Sequence, residues 1–188
     1  MRVHGQRHAL PGHRAIEPLD AAPSGRLVLG IDPGLATIGI ALVRTIGSRR
    51  ELVNVGVVTT PAGMAGPKRL RSIHTDLLSL VASMAPHAAA VEQLFFASNT
   101  TTAMQVAEAR GVILLAMEES GVPVWEYTPM QVKASLTGYG KASKAQMTRM
   151  VRNLVGVPEK LPDDAFDAVA IALCHIQSER LSPGRRVS

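Results

Sequence analysis

Residues 27–43, LVLGIDPGLATIGIALV, decide how the rest of the chain is read. Leu27-Val28-Leu29-Gly30-Ile31 is a short apolar run, rich in branched residues, of the kind that forms a buried strand. Asp32 closes it, and Pro33-Gly34 marks a turn. Ile38-Gly39-Ile40-Ala41-Leu42-Val43 then resumes an extended, β-prone run, so the stretch reads as an antiparallel hairpin. A carboxylate at the end of a buried strand is costly unless it is paired, hydrogen-bonded or bound to a cation. Backbone amides in the turn could satisfy Asp32 alone. The acids further along the chain weigh against that reading.

Outward from the hairpin, residues 52–59 form a third strand after a turn at Arg49-Arg50, and residues 61–67 form a loop. Leu70, Ile73, Leu77, Leu80 and Met84 recur at steps of three and four, one face of a helix. Lys68, Arg69, Arg71 and His74 lie mostly off that face, as a solvated helix surface would have them. Ala88-Ala89-Ala90-Val91 is a small-residue strand that ends in Glu92 and so repeats the logic of Asp32. A helix follows from a cap at Asn99 to Glu119, stopped by Gly121. Gly111 in its middle costs about 1 kcal/mol against Ala and suggests close approach by another helix, such as one from a second subunit. Residues 122–127 are a strand. Thr128-Pro129-Met130-Gln131 has the residues of a capping box with Pro at the first helical position, Gly138-Tyr139-Gly140-Lys141 breaks that helix, and Ser143 caps the next. The last helix opens with Leu161-Pro162-Asp163-Asp164-Ala165-Phe166-Asp167.

Strands, then alternating helices and strands, define an α/β layered domain. Residues 1–25 read as an extension ending at Pro23-Ser24-Gly25, residues 26–180 as one domain, and residues 181–188 as a frayed tail. With 188 residues, 46% of them hydrophobic and 19% charged, the chain is globular in composition and shows no membrane-spanning run or signal-peptide core. A single cysteine excludes an internal disulfide framework and suits the cytoplasm. The net charge of +5 permits a polyanionic partner without demanding one.

On the last helix Asp167 shares a face with Asp164 or Asp163, and acids in a first turn also answer the helix dipole. Joined to Asp32 and Glu92, however, they make a gathering of like charges that calls for a cation. Oxygen-only ligands suit Mg²⁺ or Mn²⁺, and four carboxylates could hold two ions for phosphodiester hydrolysis.

The blocks GIDPGLATIGIAL, VEQLFFASNTTTAMQVAEARGVILLA, EYTPMQVKASLTGYGKASKAQM and LPDDAFDAVAIALCH, in this order over residues 27–175, resemble the RuvC family of Holliday-junction resolvases, of the ribonuclease H-like superfamily. The resemblance implies a five-stranded mixed β-sheet flanked by α-helices. It implies a structure-selective endonuclease acting as a homodimer on four-way junction DNA, with RuvA and RuvB as branch-migration partners and Mg²⁺ (or Mn²⁺), two ions per site, as cofactor. Asp32, Glu92, Asp164 and Asp167 match the family's catalytic, metal-binding carboxylates, Asp164 rather than Asp163 because the motif is acid, two residues, acid, then Ala-Val-Ala. Phe95 matches the aromatic that stacks on or disrupts bases at the crossover. Lys133 and Lys144 match residues that contact phosphates, and Lys141 and Arg110 are further DNA-binding candidates. The rivals are an RNase H-type or RuvX-like nuclease on another substrate, an actin-like ATPase, and a junction-binding module that no longer cuts.

Overall fold

The structure, a computed structural model, describes residues 25–94, 100–179 and 185–187. The extension expected before Gly25 and the aromatic position Phe95 lie outside them. Three strands run as a meander, β1 (Arg26–Asp32), β2 (Thr37–Ile46) and β3 (Arg49–Thr59), followed by α1 (Gly66–Met84), β4 (Ala88–Glu92), α2 (Thr100–Glu119), β5 (Val124–Tyr127), α3 (Pro129–Thr137), α4 (Lys144–Leu154), α5 (Asp163–Ser178) and β6 (Arg185–Val187). The sheet order is β3-β2-β1-β4-β5-β6, with β1, β4 and β5 mutually parallel and the outer pairs antiparallel.

Alternation along the strands sorts the core into two layers, because successive side chains leave a strand on opposite faces. Leu27, Leu29 and Ile31 of β1, Ile38, Ile40 and Leu42 of β2, and Ala89 and Val91 of β4 pack with α1 and α2. Val28, Ala41, Val43 and Ala90 pack on the other face with α3, α4 and α5. Val28 lies on the α5 face, so its alternates Gly30 and Asp32 do too; Ala90 places Glu92 there in the same way. The strand ends therefore present both acids to the α5 layer.

Two helix starts take the form their sequence promised. Thr128 accepts from the Gln131 amide while the Gln131 side chain accepts from the Thr128 amide, and Ser143 and Gln146 repeat the box at α4. Gly121 and Gly138 adopt positive φ after α2 and α3.

Two expectations are corrected. The sheet has six strands among the described residues rather than five, because residues 185–187, expected to fray, pair antiparallel with β5. The pairing covers what would be an open edge, and the Arg186 guanidinium lies 5.8 Å from the Trp125 ring centroid, within cation–π range. The turn between β2 and β3 falls at Gly47 and Ser48, not Arg49-Arg50; Gly47 supplies the positive φ and both arginines join the β3 ladder. No described helix is long and apolar enough to cross a membrane.

Candidate functional site

The acids come to one end of the sheet because α5 lies directly on backbone. Gly39 pairs with Asp32 across β1 and β2, and a Cβ built on Gly39 would stand 1.8 Å from the Asp164 carbonyl oxygen. One built on Gly30 would stand 2.0 Å from the Ala168 carbonyl and 2.9 Å from the Ala172 Cβ. No side chain fits at either place. The small residues of α5, Ala165, Ala168 and Ala172, complete the seat, and the helix N-terminus arrives beside the end of β1.

The parallel register adds Glu92. Ile31 pairs with Val91, so Asp32 and Glu92 leave adjacent strands side by side at their carboxyl ends. Asp32 is half-buried, and its pKa is pushed up from 3.8 to about 7, first by burial and then by the charges of Glu92, Asp167 and Asp164. Burial, together with Asp167, also raises Glu92, while Lys133 pulls it down. Burial raises Asp167 at the lip of the site, with Asp163 and Asp164 adding to the rise and Lys144 and Lys133 opposing it. Among the described residues no three acids, histidines or cysteines are grouped closely enough, as they stand, to hold one ion together. The four carboxylates share an electrostatic field rather than a closed ligand cage.

Asp163 and Asp164 are told apart by their neighbours. Asp163 is exposed and bonds the Lys144 ammonium at 2.7 Å, whereas Asp164 acts on the Asp32 carboxyl. Lys133 on α3 is half-buried and in the field of Glu92 and Asp167. Lys144 opens α4, and Lys141 is exposed in the turn before it. Arg110, a DNA-binding candidate in the sequence, bonds Glu126 through its guanidinium at 2.6 Å, with side-chain exposures of 18% and 11%, and so braces α2 against β5.

Arg69, taken for a solvated cation, is instead a clamp. Its guanidinium donates to the carbonyls of Leu35 (3.4 Å), Pro61 (3.1 Å) and Met64 (3.5 Å). The Thr60 amide donates to the Ala36 carbonyl, and the Thr60 hydroxyl to that of Leu35. These bonds fix the turn that leaves Asp32. The contact residues Gly30, Gly39 and Arg69 were visible only as letters. The alternation of glycine with branched residues in β1 and β2, facing an alanine-rich helix, was the available signal for the first two.

A family model described as crossover junction endodeoxyribonuclease RuvC matches residues 28–175. A crossover junction endodeoxyribonuclease RuvC of Rubrobacter xylanophilus is 49% identical over 158 residues, covering 84% of this chain and 88% of the relative. One from Chloroflexus aggregans is 51% identical over 150 residues, covering 78% and 90%. The solved structure of Thermus thermophilus RuvC in complex with a Holliday junction substrate superposes with a TM-score of 0.81 at 36% identity, covering 86% of this chain and 99% of that one. The chain belongs to the RuvC family of crossover junction endodeoxyribonucleases.

Proposed function

We propose that Asp32, Glu92, Asp164 and Asp167 form the hydrolytic centre of this crossover junction endodeoxyribonuclease, and that two protomers resolve a four-way junction by paired, symmetric cuts. The observation that carries the reading is that α5, seated on Gly30 and Gly39, brings Asp164 and Asp167 to the strand ends that carry Asp32 and Glu92, where burial and the other acids raise the Asp32 carboxyl. Such repulsion is relieved by a cation among the carboxylates.

Membership of the family implies a divalent metal, and the donor set fits one. The acids are hard oxygen ligands, and no Cys or His lies among them. Holding an ion requires the side chains to turn toward one another, since no three of them are grouped for it as they stand. Asp32 and Glu92 would reach in from the strand ends, Asp164 and Asp167 from the first turns of α5. When bound, Mg²⁺ or Mn²⁺, two ions in our reading, would supply Lewis acidity and charge neutralisation at a phosphodiester. Lys133 lowers the pKa of Glu92 and of Asp167, which supports a role for it in meeting a phosphate that approaches the acids. Lys144 and Lys141 extend that positive edge, and Phe95 remains the candidate for engaging bases at the crossover.

A homodimer suits the approximate two-fold symmetry of the junction. Met104, Gly111 and Leu115 fall on one line of α2, at intervals of about two turns and one turn, and all three are exposed. A Cβ on Gly111 would meet nothing within 4 Å among the described residues, which leaves room for a partner at that point. A second copy of α2 is the occupant we propose. Action in the cytoplasm alongside RuvA and RuvB completes the proposal.

The test is substrate competition. A labelled four-way junction should be cut in the presence of excess duplex or RNA–DNA hybrid and be protected by excess unlabelled junction. Equal competition by hybrid would favour the RNase H-type rival.

A further inference from the structure

The turn between α3 and α4 and the first turn of α3 each carry an exposed apolar side chain, Tyr139 and Met130. Tyr139 is 59% and Met130 63% exposed. Their mount is well built. The Thr137 hydroxyl accepts from the Tyr139 amide at 3.2 Å and shares its proton between the carbonyls of Lys133 and Tyr139, at 2.8 and 3.0 Å. The Ala142 amide donates to the Tyr139 carbonyl, and Gly138 takes a φ of 76° that closes α3 on the Ala134 carbonyl. Gly140 is a contact glycine: a Cβ there would lie 2.6 Å from Met130 Cγ, so a larger residue would displace the methionine side chain from the turn. Tyr139 and Met130, which lies against Gly140, thus stand exposed at one hydrogen-bonded turn.

The surroundings of that turn are cationic and catalytic. Lys141 is exposed within the same turn. Lys133 precedes the turn and acts on Glu92 and Asp167; Lys144 follows it and acts on Asp167. The Lys144 ammonium, bonding Asp163 at 2.7 Å, ties the turn to the start of α5. An aromatic platform beside lysines is the composition that binds unpaired nucleotides, with bases stacking on the ring and phosphates meeting the cations. A rigid tyrosine also loses little conformational freedom on docking, having two side-chain torsions to fix.

We propose that Tyr139, backed by Met130, is a stacking platform for an unpaired or splayed base of junction DNA beside the acid cluster, with Lys141 on a neighbouring phosphate. The inference rests on the reading of the chain as a junction nuclease. It adds a second aromatic contact on α3–α4, apart from the one expected at Phe95.

The test uses the full chain, in EDTA so that nothing is cut, with a four-way junction carrying 2-aminopurine at single positions around the exchange point. Wild type, Tyr139→Ala, Tyr139→Phe and Lys141→Ala are compared by anisotropy and probe fluorescence. Wild type should quench the probe at one or more positions. Tyr139→Ala should lose the quench and bind about fivefold to tenfold more weakly, the loss of one base stack, while its melting temperature stays that of wild type. Tyr139→Phe should keep both signals. Lys141→Ala should keep the quench but flatten the salt dependence of binding. Equal affinity and equal fluorescence for wild type and Tyr139→Ala would overturn the platform alone. A change in oligomeric mass for Tyr139→Ala would assign the surface to a protein contact and overturn it too. Failure of wild type to prefer junction over duplex would instead remove the functional reading, and the platform with it.

Discussion

Replacing Asp32 by Asn should make the protein more stable at neutral pH while ending its activity. The Asp32 carboxyl titrates at about 7 in the folded chain against 3.8 ordinarily, a rise of about three pH units. At 1.36 kcal/mol per unit, ionising Asp32 in place costs at most about 4 kcal/mol relative to the unfolded chain. The sign follows from proton counting. Between 3.8 and about 7 the folded state holds a proton that the unfolded state has released, so stability falls as pH rises through that window and levels off above it. Asn carries no charge at any pH. The stability gap between mutant and wild type should therefore be near zero at pH 4, grow through pH 5–7, and reach at most about 4 kcal/mol by pH 8. For a chain of this size that is up to about 10 °C in melting temperature. Urea titrations of both proteins at pH 4, 6 and 8 in EDTA measure it, and the difference between the two cancels the titrating groups that do not couple to Asp32. Adding Mg²⁺ at pH 8 should narrow the gap by stabilising wild type selectively. A mutant no more stable than wild type at pH 8, or a gap unchanged between pH 4 and 8, would refute the electrostatic account of the site.

Other perturbations test the scaffold around the acids. Gly39→Ala forces a methyl group onto the Asp164 carbonyl, so α5 must lift; we expect a loss of about 3 kcal/mol in urea denaturation, as for overpacked cores, with cleavage falling further than stability alone explains. Arg69→Ala releases the turn after Asp32 and should lower kcat with little change in junction Kd, at a cost of about 1–2 kcal/mol in stability; a change confined to Kd would contradict a positioning role. His175 is fully buried, donating or accepting at Nδ1 with the Tyr127 hydroxyl at 2.8 Å, and burial lowers its pKa from 6.5 to about 4. The folded state then holds fewer protons than the unfolded between those values, so this residue removes stability as pH falls from 6.5 toward 4. Measured in the Asp32→Asn background, where the opposing slope is absent, His175→Gln should flatten that acid-side loss.

What the sequence made legible was local or periodic. The acids Asp32 and Glu92 could be placed at strand ends because apolar runs stop on them, and the capping boxes at Thr128 and Ser143 are spelled by residues three apart. The α5 acids were ambiguous, since helical spacing serves Asp163 and Asp164 equally; the bond of Asp163 to Lys144 and the charge of Asp164 acting on Asp32 separate them only in three dimensions. The same holds for β6, whose three residues have no periodicity and form a strand only because β5 offers an edge and Trp125 a face for Arg186. Arg69 and Arg110 looked alike in sequence, two helix cations, yet one grips three carbonyls and the other a glutamate. A cation's partner is set by tertiary packing, which no local pattern encodes.

The most direct measurement is cleavage of a synthetic mobile four-way junction by wild type and Asp32→Asn, each with EDTA, Mg²⁺ or Mn²⁺, with the cut positions read on all four strands. The account predicts paired nicks at symmetric positions, only with wild type and only with metal, while Asp32→Asn still binds the junction. Metal-dependent cutting that survives in Asp32→Asn, or junction binding by wild type with no cut in either metal, would contradict it.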